Sequence, residues 1–181
     1  MADVYDIKQM DIALKAGEGM IAYAGFSIQD APEAGPRDGI LKISAFQRHD
    51  GSGYLTLTFL VDTEGNSDVR DILETTFNTV TEAHLRTALG SNLEMLIKNV
   101  LHGSVQSEPW CLMEFSIYLK ELEGNEQTLL EKKILPCLAP VLGCTFGTLE
   151  WWDEEIHNDF SKQNQSGETG LKALFRKFFG T

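Results

Sequence analysis

Four oxygen-bearing side chains at every second position make the first candidate for chemistry in this sequence, a calcium-binding loop. They are Asp62, Glu64, Asn66 and Asp68. Such spacing suits a hard cation, but the loop pattern also requires a glycine at its sixth position and a bidentate glutamate at its twelfth. Ser67 and Leu73 stand at those two positions. We therefore reject a calcium site and interpret the segment as a polar turn in which Ser67 caps a helix.

Asp153 and His157 form the second candidate, a transition-metal or hydrolytic site. They lie four residues apart, and on a helix such a carboxylate and imidazole can reach one ion, with Glu154 or a cysteine as a further ligand. The same spacing also gives an ordinary surface charge pair. No second histidine lies nearby in the sequence, so we expect no metal and no other cofactor. A small hydrolase or metal-dependent enzyme using His157 and Asp153 is kept as the alternative function.

The cysteines suggest neither a nucleophile nor a disulfide framework. There are three of them, Cys111, Cys137 and Cys144, and an odd number without a short repeated spacing fits no such pattern. Cys111 falls on the apolar side of a predicted strand, where a buried, inert thiol is the common outcome. The chain also contains no Gly-x-Ser-x-Gly turn and no phosphate-binding loop. We therefore predict no catalytic residue.

The acidic charge balance has two interpretations: it keeps the protein soluble, or it favours a basic partner. The 181 residues include 27 Asp and Glu against 15 Lys and Arg, which gives a net charge of −12. Such a body repels nucleic-acid phosphates and anionic membranes, so we expect neither as a partner. The acidic start of the sequence does not resemble a signal peptide, and no apolar run has the length of a membrane span. We expect a cytoplasmic protein.

The end of the sequence carries the strongest signal for binding. Residues 161–170 lack large apolar side chains, which predicts a flexible tether. An apolar stripe at helical spacing follows, formed by Leu171, Leu174, Phe175, Phe178 and Phe179. So short a helix is unstable alone in water, and three surfaces could cover it: its own acidic domain, a groove on a protein partner or second copy, or more weakly an anionic membrane. Deleting residues 171–181 is expected to leave the domain folded and to abolish partner binding.

A second group of candidate binding residues precedes this tether. Trp151 and Trp152 are adjacent on a predicted strand, so their side chains face opposite sides. One is expected in the core, and the other, assigned here as Trp152, either contacts a partner or is covered by the next helix. An acidic patch for a basic partner is formed by Glu150, Asp153, Glu154 and Glu155.

The clearest structural pattern is a β-hairpin around the glycine-rich turn 49–53. Apolar residues alternate with polar ones on both sides of it, at Leu41, Ile43, Ala45, Leu55, Leu57, Phe59 and Val61. This pattern predicts two antiparallel strands with one buried and one solvated face. A further strand is predicted over residues 20–29, joined to the hairpin by a loop over 30–39 that contains two prolines.

Helical and alternating patterns share the rest of the chain. Helical spacing predicts one helix from Ser67 to Phe77 and another over 82–101, with Gly90 as a candidate break. The remaining predictions are a strand over 111–119, a helix over 126–135, a proline-disrupted stretch over 137–143, a strand over 145–152 and a short acidic helix over 153–160.

Together these elements predict an α+β domain over residues 1–160, followed by the tether 161–170 and an amphipathic C-terminal helix over 171–181. The domain is expected to be a mainly antiparallel sheet of about five strands with helices packed on one face. Its element order resembles that of the small acidic type III secretion chaperones, which also place a three-stranded meander before a central helix. We interpret the protein as a non-enzymatic protein-interaction module of the adaptor, chaperone or inhibitor type, which binds a protein partner or a second copy of itself.

Overall fold

Seven strands form one antiparallel sheet in the computed structural model, which describes residues 21–28, 37–62, 67–101, 110–122 and 124–152. The strands are β1 Ile21–Ile28, β2 Arg37–Gln47, β3 Gly53–Asp62, β4 Leu93–Leu101, β5 Trp110–Leu119, β6 Cys144–Phe146 and β7 Glu150–Trp152. Their order is β4-β5-β3-β2-β1-β6, while β7 pairs with the other end of β1. The predicted antiparallel α+β architecture is therefore confirmed, with seven strands in the described residues instead of about five.

Within the described ranges, three helices pack on this sheet. Helix α1 is Ser67–Asn78 and helix α2 is Glu82–Leu89. Helix α3 consists of an α-helical turn Glu126–Leu129, a π-helical segment Leu130–Ile134 and an α-helical part Leu135–Leu142. Their buried side chains belong to the same apolar cluster as the inward-facing strand residues. The helix predicted to start at Ser67 is thus confirmed.

The alternation predicted for the hairpin decides which face of the sheet becomes the core. The alternating apolar positions Leu41, Ile43, Leu55, Leu57 and Phe59 are fully buried. At the centre of this core, the Phe59 ring makes edge contacts with Phe26, Phe77 and Phe115 at centroid distances of 5.5, 4.9 and 5.5 Å. Edge-to-face packing of this kind adds to the free energy gained by burial of the rings.

The prediction of one long helix over residues 82–101 is wrong for the second half of that range. Helix α2 ends at Leu89, where Gly90 takes a φ of 59° that a helix cannot continue. After a 3₁₀ turn at Gly90–Asn92, residues Leu93–Leu101 form β4 and pair with β5. Apolar residues at this spacing fit a helical stripe as well as a strand, and the backbone pairing with β5 decides between the two.

The irregularity predicted around the prolines lies further upstream than expected. The π-helical segment covers Leu130–Ile134, whereas the predicted irregular stretch 137–143 belongs largely to the α-helical part of α3. Pro136 lies in the first turn of that part, directly after the π-helical segment. Pro140 is accommodated inside the helix, which ends at Gly143 in the left-handed conformation.

Two predicted strand boundaries also need correction. β2 begins at Arg37, so the end of the predicted loop 30–39 is strand, and residues 29–36 lie outside the described part of the chain. The single strand predicted over 145–152 is two short strands, β6 and β7, which pair with opposite ends of β1. Between them the Gly147 N–H donates to the Gly25 carbonyl oxygen at 2.8 Å.

The face of the hairpin that was predicted to be solvated is only partly exposed to solvent. Lys42 and Thr58 point to the face opposite the helices and are only 5% and 6% exposed, and Ile40 and Leu60 on the same face are fully buried. Alternation of polar and apolar residues shows which face is more apolar, but it cannot show whether the other face meets water. The acidic helix over 153–160, the tether and the C-terminal helix lie outside the described residues, and the division into these parts stays a prediction.

Candidate functional site

Strand pairing arranges the side chains of the face opposite the helices, the outer face, in rows across the sheet. Phe46 of β2 pairs with Tyr54 of β3, Tyr54 with Tyr118 of β5, and Tyr118 with Met95 of β4. Directly paired residues place their side chains on the same face. The Phe46 and Tyr54 rings stack with centroids 5.2 Å apart, and the Tyr54 and Tyr118 rings are 5.1 Å apart. One row of apolar side chains therefore spans four strands.

This row is accessible to solvent. The three rings are half-buried, whereas Met95 is 42% exposed. Ile97, two residues further along β4 on the same face, is 37% exposed and pairs with Ser116. Met95 and Ile97 are the two exposed large apolar residues among those whose side chains the structure describes. We call Phe46, Tyr54, Tyr118, Met95 and Ile97 the open patch.

A row of polar side chains crosses the same face one step beyond the Ile97–Ser116 pair. It consists of Tyr23, Lys42, Thr58, Glu114 and Asn99, which pair in that order from β1 to β4. Burial lowers the pKa of Lys42 to about 8, and the Glu114 carboxylate partly offsets this effect. Burial also raises the pKa of Glu114, against the hydrogen bond from Asn99 and the charge of Lys42. Because folding changes the pKa values of Lys42 and Glu114, the stability of the folded state depends on pH.

The described thiols are not set up for nucleophilic catalysis. The fold brings Cys137 of α3 to His84 of α2, but the contact is from Cys137 Sγ to the His84 backbone oxygen at 3.0 Å. The His84 ring instead accepts the Thr81 backbone N–H through Nδ1 at 3.1 Å, as part of the cap of α2. Burial raises the pKa of Cys137, and it raises that of Cys144 to about 12. A catalytic thiol needs the opposite shift.

A cavity of about 510 Å³ lies between α3 and the chain segment that carries β6. Its lining is mostly apolar, with Leu135, Pro136, Ala139 and Phe146 among the contributors and Glu131 as the carboxylate. Cavities of this size suit small molecules. The thiol in its wall is Cys144, which burial keeps protonated at neutral pH, so the lining offers no activated nucleophile.

Two of the ten predicted binding residues fall in the described part of the chain. Glu150 is exposed and pairs with Tyr23, and Trp152 pairs with Ile21 at the end of β7. Trp151 pairs with Ala22 and packs against the core, as predicted for one of the two tryptophans. The other eight lie outside the described residues and stay predictions: Asp153, Glu154, Glu155, Leu171, Leu174, Phe175, Phe178 and Phe179. His157, the residue of the alternative enzyme, also lies outside them.

The open patch was not predicted, although part of its signal is in the sequence. Phe46, Tyr54 and Tyr118 are aromatic residues at polar positions of alternating strands, and such residues are candidates for contact surfaces. Met95 and Ile97 could not be found in this way, because the helix predicted over 82–101 assigned their apolar side chains to a buried stripe. Their exposure depends on the pairing of β4 with β5.

No group of three potential metal ligands comes together among the described residues, and no described helix has the length and apolarity to cross a membrane. No protein-family model, no curated protein and no solved structure matches this chain.

Proposed function

We propose that this protein is a non-enzymatic protein-interaction module that binds an apolar, basic segment of a partner protein through the open patch. The observation that carries the proposal is the continuous row of Phe46, Tyr54, Tyr118 and Met95, extended by Ile97, on the accessible outer face. Aromatic residues and methionine are enriched at protein interfaces. A rigid sheet holds these side chains in place before binding, so little conformational entropy is lost when a partner docks.

The composition of the patch suits a protein segment with several apolar anchors. The stacked rings of Phe46 and Tyr54 and the adjacent Tyr118 ring form a firm platform. Met95 is flexible and polarisable, so it can adapt to differently shaped apolar side chains. Ile97 extends the platform along the sheet edge. The two tyrosine hydroxyls add polar groups that can fix the orientation of a bound segment.

Charge favours a basic partner over a second copy of this chain. Exposed side chains of both signs are close to the patch in sequence: Glu94 and Glu121 are acidic, and Arg48 and Lys120 are basic. The preference therefore comes from the net charge of −12, which attracts a basic protein at long range and makes two copies repel each other. The state of the described thiols agrees with a binding role, since neither Cys137 nor Cys144 is activated.

The proposal is tested with the full chain and synthetic helical peptides as defined probes. The first peptide carries Leu on one face of the helix and Lys on the other. The second peptide has Glu in place of each Lys, and the third has Ser in place of each Leu. We expect measurable binding by fluorescence anisotropy for the Lys/Leu peptide alone. M95S/I97S should weaken this binding roughly tenfold or more, because truncation of central apolar contacts commonly costs over about 1 kcal/mol. The matched control M95L/I97V keeps the patch apolar and should bind like the original chain.

Three results would overturn the proposal. The first is equal binding of the Lys/Leu peptide by M95S/I97S and the original chain. The second is that the Lys/Leu peptide does not bind at all. The third is a dimer in light scattering that M95S/I97S converts to a monomer, because the patch would then be occupied by a second copy. Circular dichroism of each variant shows whether the fold is kept.

A further inference from the structure

Strand β4 ends the described sheet on one side, since the strand order begins β4-β5-β3. The outward N–H and C=O groups of such an edge strand form a template on which another chain can add a strand. β4 spans nine residues, Leu93–Leu101, so this template is long. Proteins commonly protect such edges with charged side chains or a covering element.

Two side chains of α2 occupy the outward backbone groups at the start of β4. Glu82 Oε1 accepts the Leu96 backbone N–H at 3.2 Å, and Arg86 Nη1 donates to the Leu93 carbonyl oxygen at 3.1 Å. Glu82 Oε2 also accepts a hydrogen bond from Arg86 Nη2 at 3.3 Å. The two charged groups therefore give the edge an acceptor and a donor, which are the groups that a neighbouring strand would supply. We call Glu82 and Arg86 the edge pair.

The sequence around α2 positions the edge pair. Thr81 caps the helix together with His84, which places Glu82 at the first helical residue. Arg86 follows one turn later on the same side of the helix, in the orientation that favours an ion pair between residues four apart. Helix α2 is fixed on the sheet by the buried side chains of Leu85 and Leu89. The edge pair is thus held against β4 by a packed helix.

Further along β4, the hydrogen bonds of Lys98 to other described residues are made by its side chain. Lys98 Nζ donates to the carbonyl oxygens of Val80 at 2.8 Å and Asn78 at 3.1 Å, so this side chain points to the helices. In an antiparallel ladder the outward backbone groups recur at every second residue. Because the Leu96 N–H points outward, the N–H and C=O of Lys98 point outward as well.

We infer that β4 is a strand-addition surface for a second copy of this chain and that the edge pair keeps it closed. The sequence of β4 is self-complementary in an antiparallel pairing centred on Leu96. That register places Met95 of each copy opposite Ile97 of the other on the outer face, with the two Leu96 residues opposite each other at the centre, and the bulge between Leu93 and Met95 ends the regular pairing there. Apolar pairs face each other and no like charges do, which favours this register. Removal of the edge pair therefore opens the edge to dimers.

The inference does not depend on the peptide-binding role of the open patch, because it concerns the backbone edge. The test compares E82A/R86A with the original chain by sedimentation velocity in high salt, where repulsion between the acidic copies is screened. We expect the variant to dimerise with rising concentration while the original chain stays monomeric. Hydrogen exchange of the Leu96 amide gives a second readout, and in E82A it should accelerate roughly tenfold because one hydrogen bond is lost.

Two further variants separate edge pairing from general misfolding. E82Q/R86K keeps an acceptor oxygen and a donor, so it should stay monomeric like the original chain. Adding K98P to E82A/R86A removes an outward N–H, which should return the protein to a monomer. An E82A/R86A variant that is folded but monomeric at all concentrations contradicts the inference. So does a Leu96 amide whose exchange rate is unchanged in E82A, and so does a dimer that K98P does not dissolve.

Discussion

The thiol of Cys137 donates to the backbone carbonyl oxygen of His84 at 3.0 Å, across 53 residues of sequence. Sequence position alone could not place a histidine beside a cysteine, and the fold does so through the packing of α3 on α2. The contact nevertheless excludes a thiol–imidazole pair at this point. The His84 ring is used in the cap of α2, while burial raises the pKa of the thiol instead of lowering it.

Cys137 and Cys144 should therefore react slowly with alkylating reagents. Burial raises the pKa of both thiols, that of Cys144 to about 12, so little thiolate is present at neutral pH. Iodoacetamide labelling at pH 7.5, followed by peptide mass spectrometry, should leave both unmodified in the folded protein. The same protein in denaturant, as the control, should be labelled at both sites. Labelling of folded Cys137 at the rate of a small-molecule thiol would contradict this picture.

The charge of Lys42 should make stability depend on pH in the alkaline range. Its pKa falls from 10.5 to about 8 in the folded state, chiefly through burial. Between these values the unfolded chain holds a proton that the folded chain has lost, so the free energy of unfolding rises with pH. The rise attributable to Lys42 amounts to roughly 3 kcal/mol at most.

This dependence is measured by urea denaturation of the original chain and of K42M from pH 7 to 11. The stability of K42M relative to the original chain should decline across pH 8 to 10.5 and stay constant below that window. E114Q removes the carboxylate that raises the pKa of Lys42 in the folded state, so it should extend the lower end of the window to lower pH while the upper end stays near 10.5. If the difference in free energy of unfolding between K42M and the original chain does not change with pH, the pKa of Lys42 is not lowered in the folded state.

Substitution of Gly39 by alanine should destabilise the protein although the residue lies on a regular strand. A Cβ atom at this position would collide with the Phe26 ring and lie 2.7 Å from the Leu60 carbonyl oxygen. We expect a loss of about 1–3 kcal/mol in the free energy of unfolding, typical of overpacking. The half-buried Ser44 on the same strand provides the control, because S44A should change stability by less than about 0.5 kcal/mol.

A double-mutant cycle identifies the cause of this loss. Truncation of the ring in F26A makes room for the new methyl group, so G39A should cost less in the F26A background than in the original chain. Equal costs in both backgrounds would show that the Phe26 ring is not the obstacle. The free energies are measured by urea denaturation, with the slope of the unfolding curve as a check on two-state behaviour.

Much of the fold could be predicted because its local patterns agree with its tertiary contacts. β2, β3 and β5 bury an apolar residue at every second position, and Val69, Leu73 and Phe77 give α1 a helical period. β4 could not be predicted in this way. Leu93, Leu96 and Ile97 fit a helical stripe as well, and a strand forms there because Gly90 ends α2 and β5 supplies a pairing edge.

The candidate site was harder to predict than the fold, since a surface depends on which elements become neighbours. The sequence by itself determined which residues of each hairpin strand face the core, because a period of two has one apolar side. Only the tertiary structure decided that Met95 stands beside Tyr118 in an exposed row, that Lys42 is buried on the outer face, and that Glu82 reaches the edge of β4. Each of these outcomes requires backbone pairing or helix packing between segments distant in the chain, and the residues themselves carry no local signal for it.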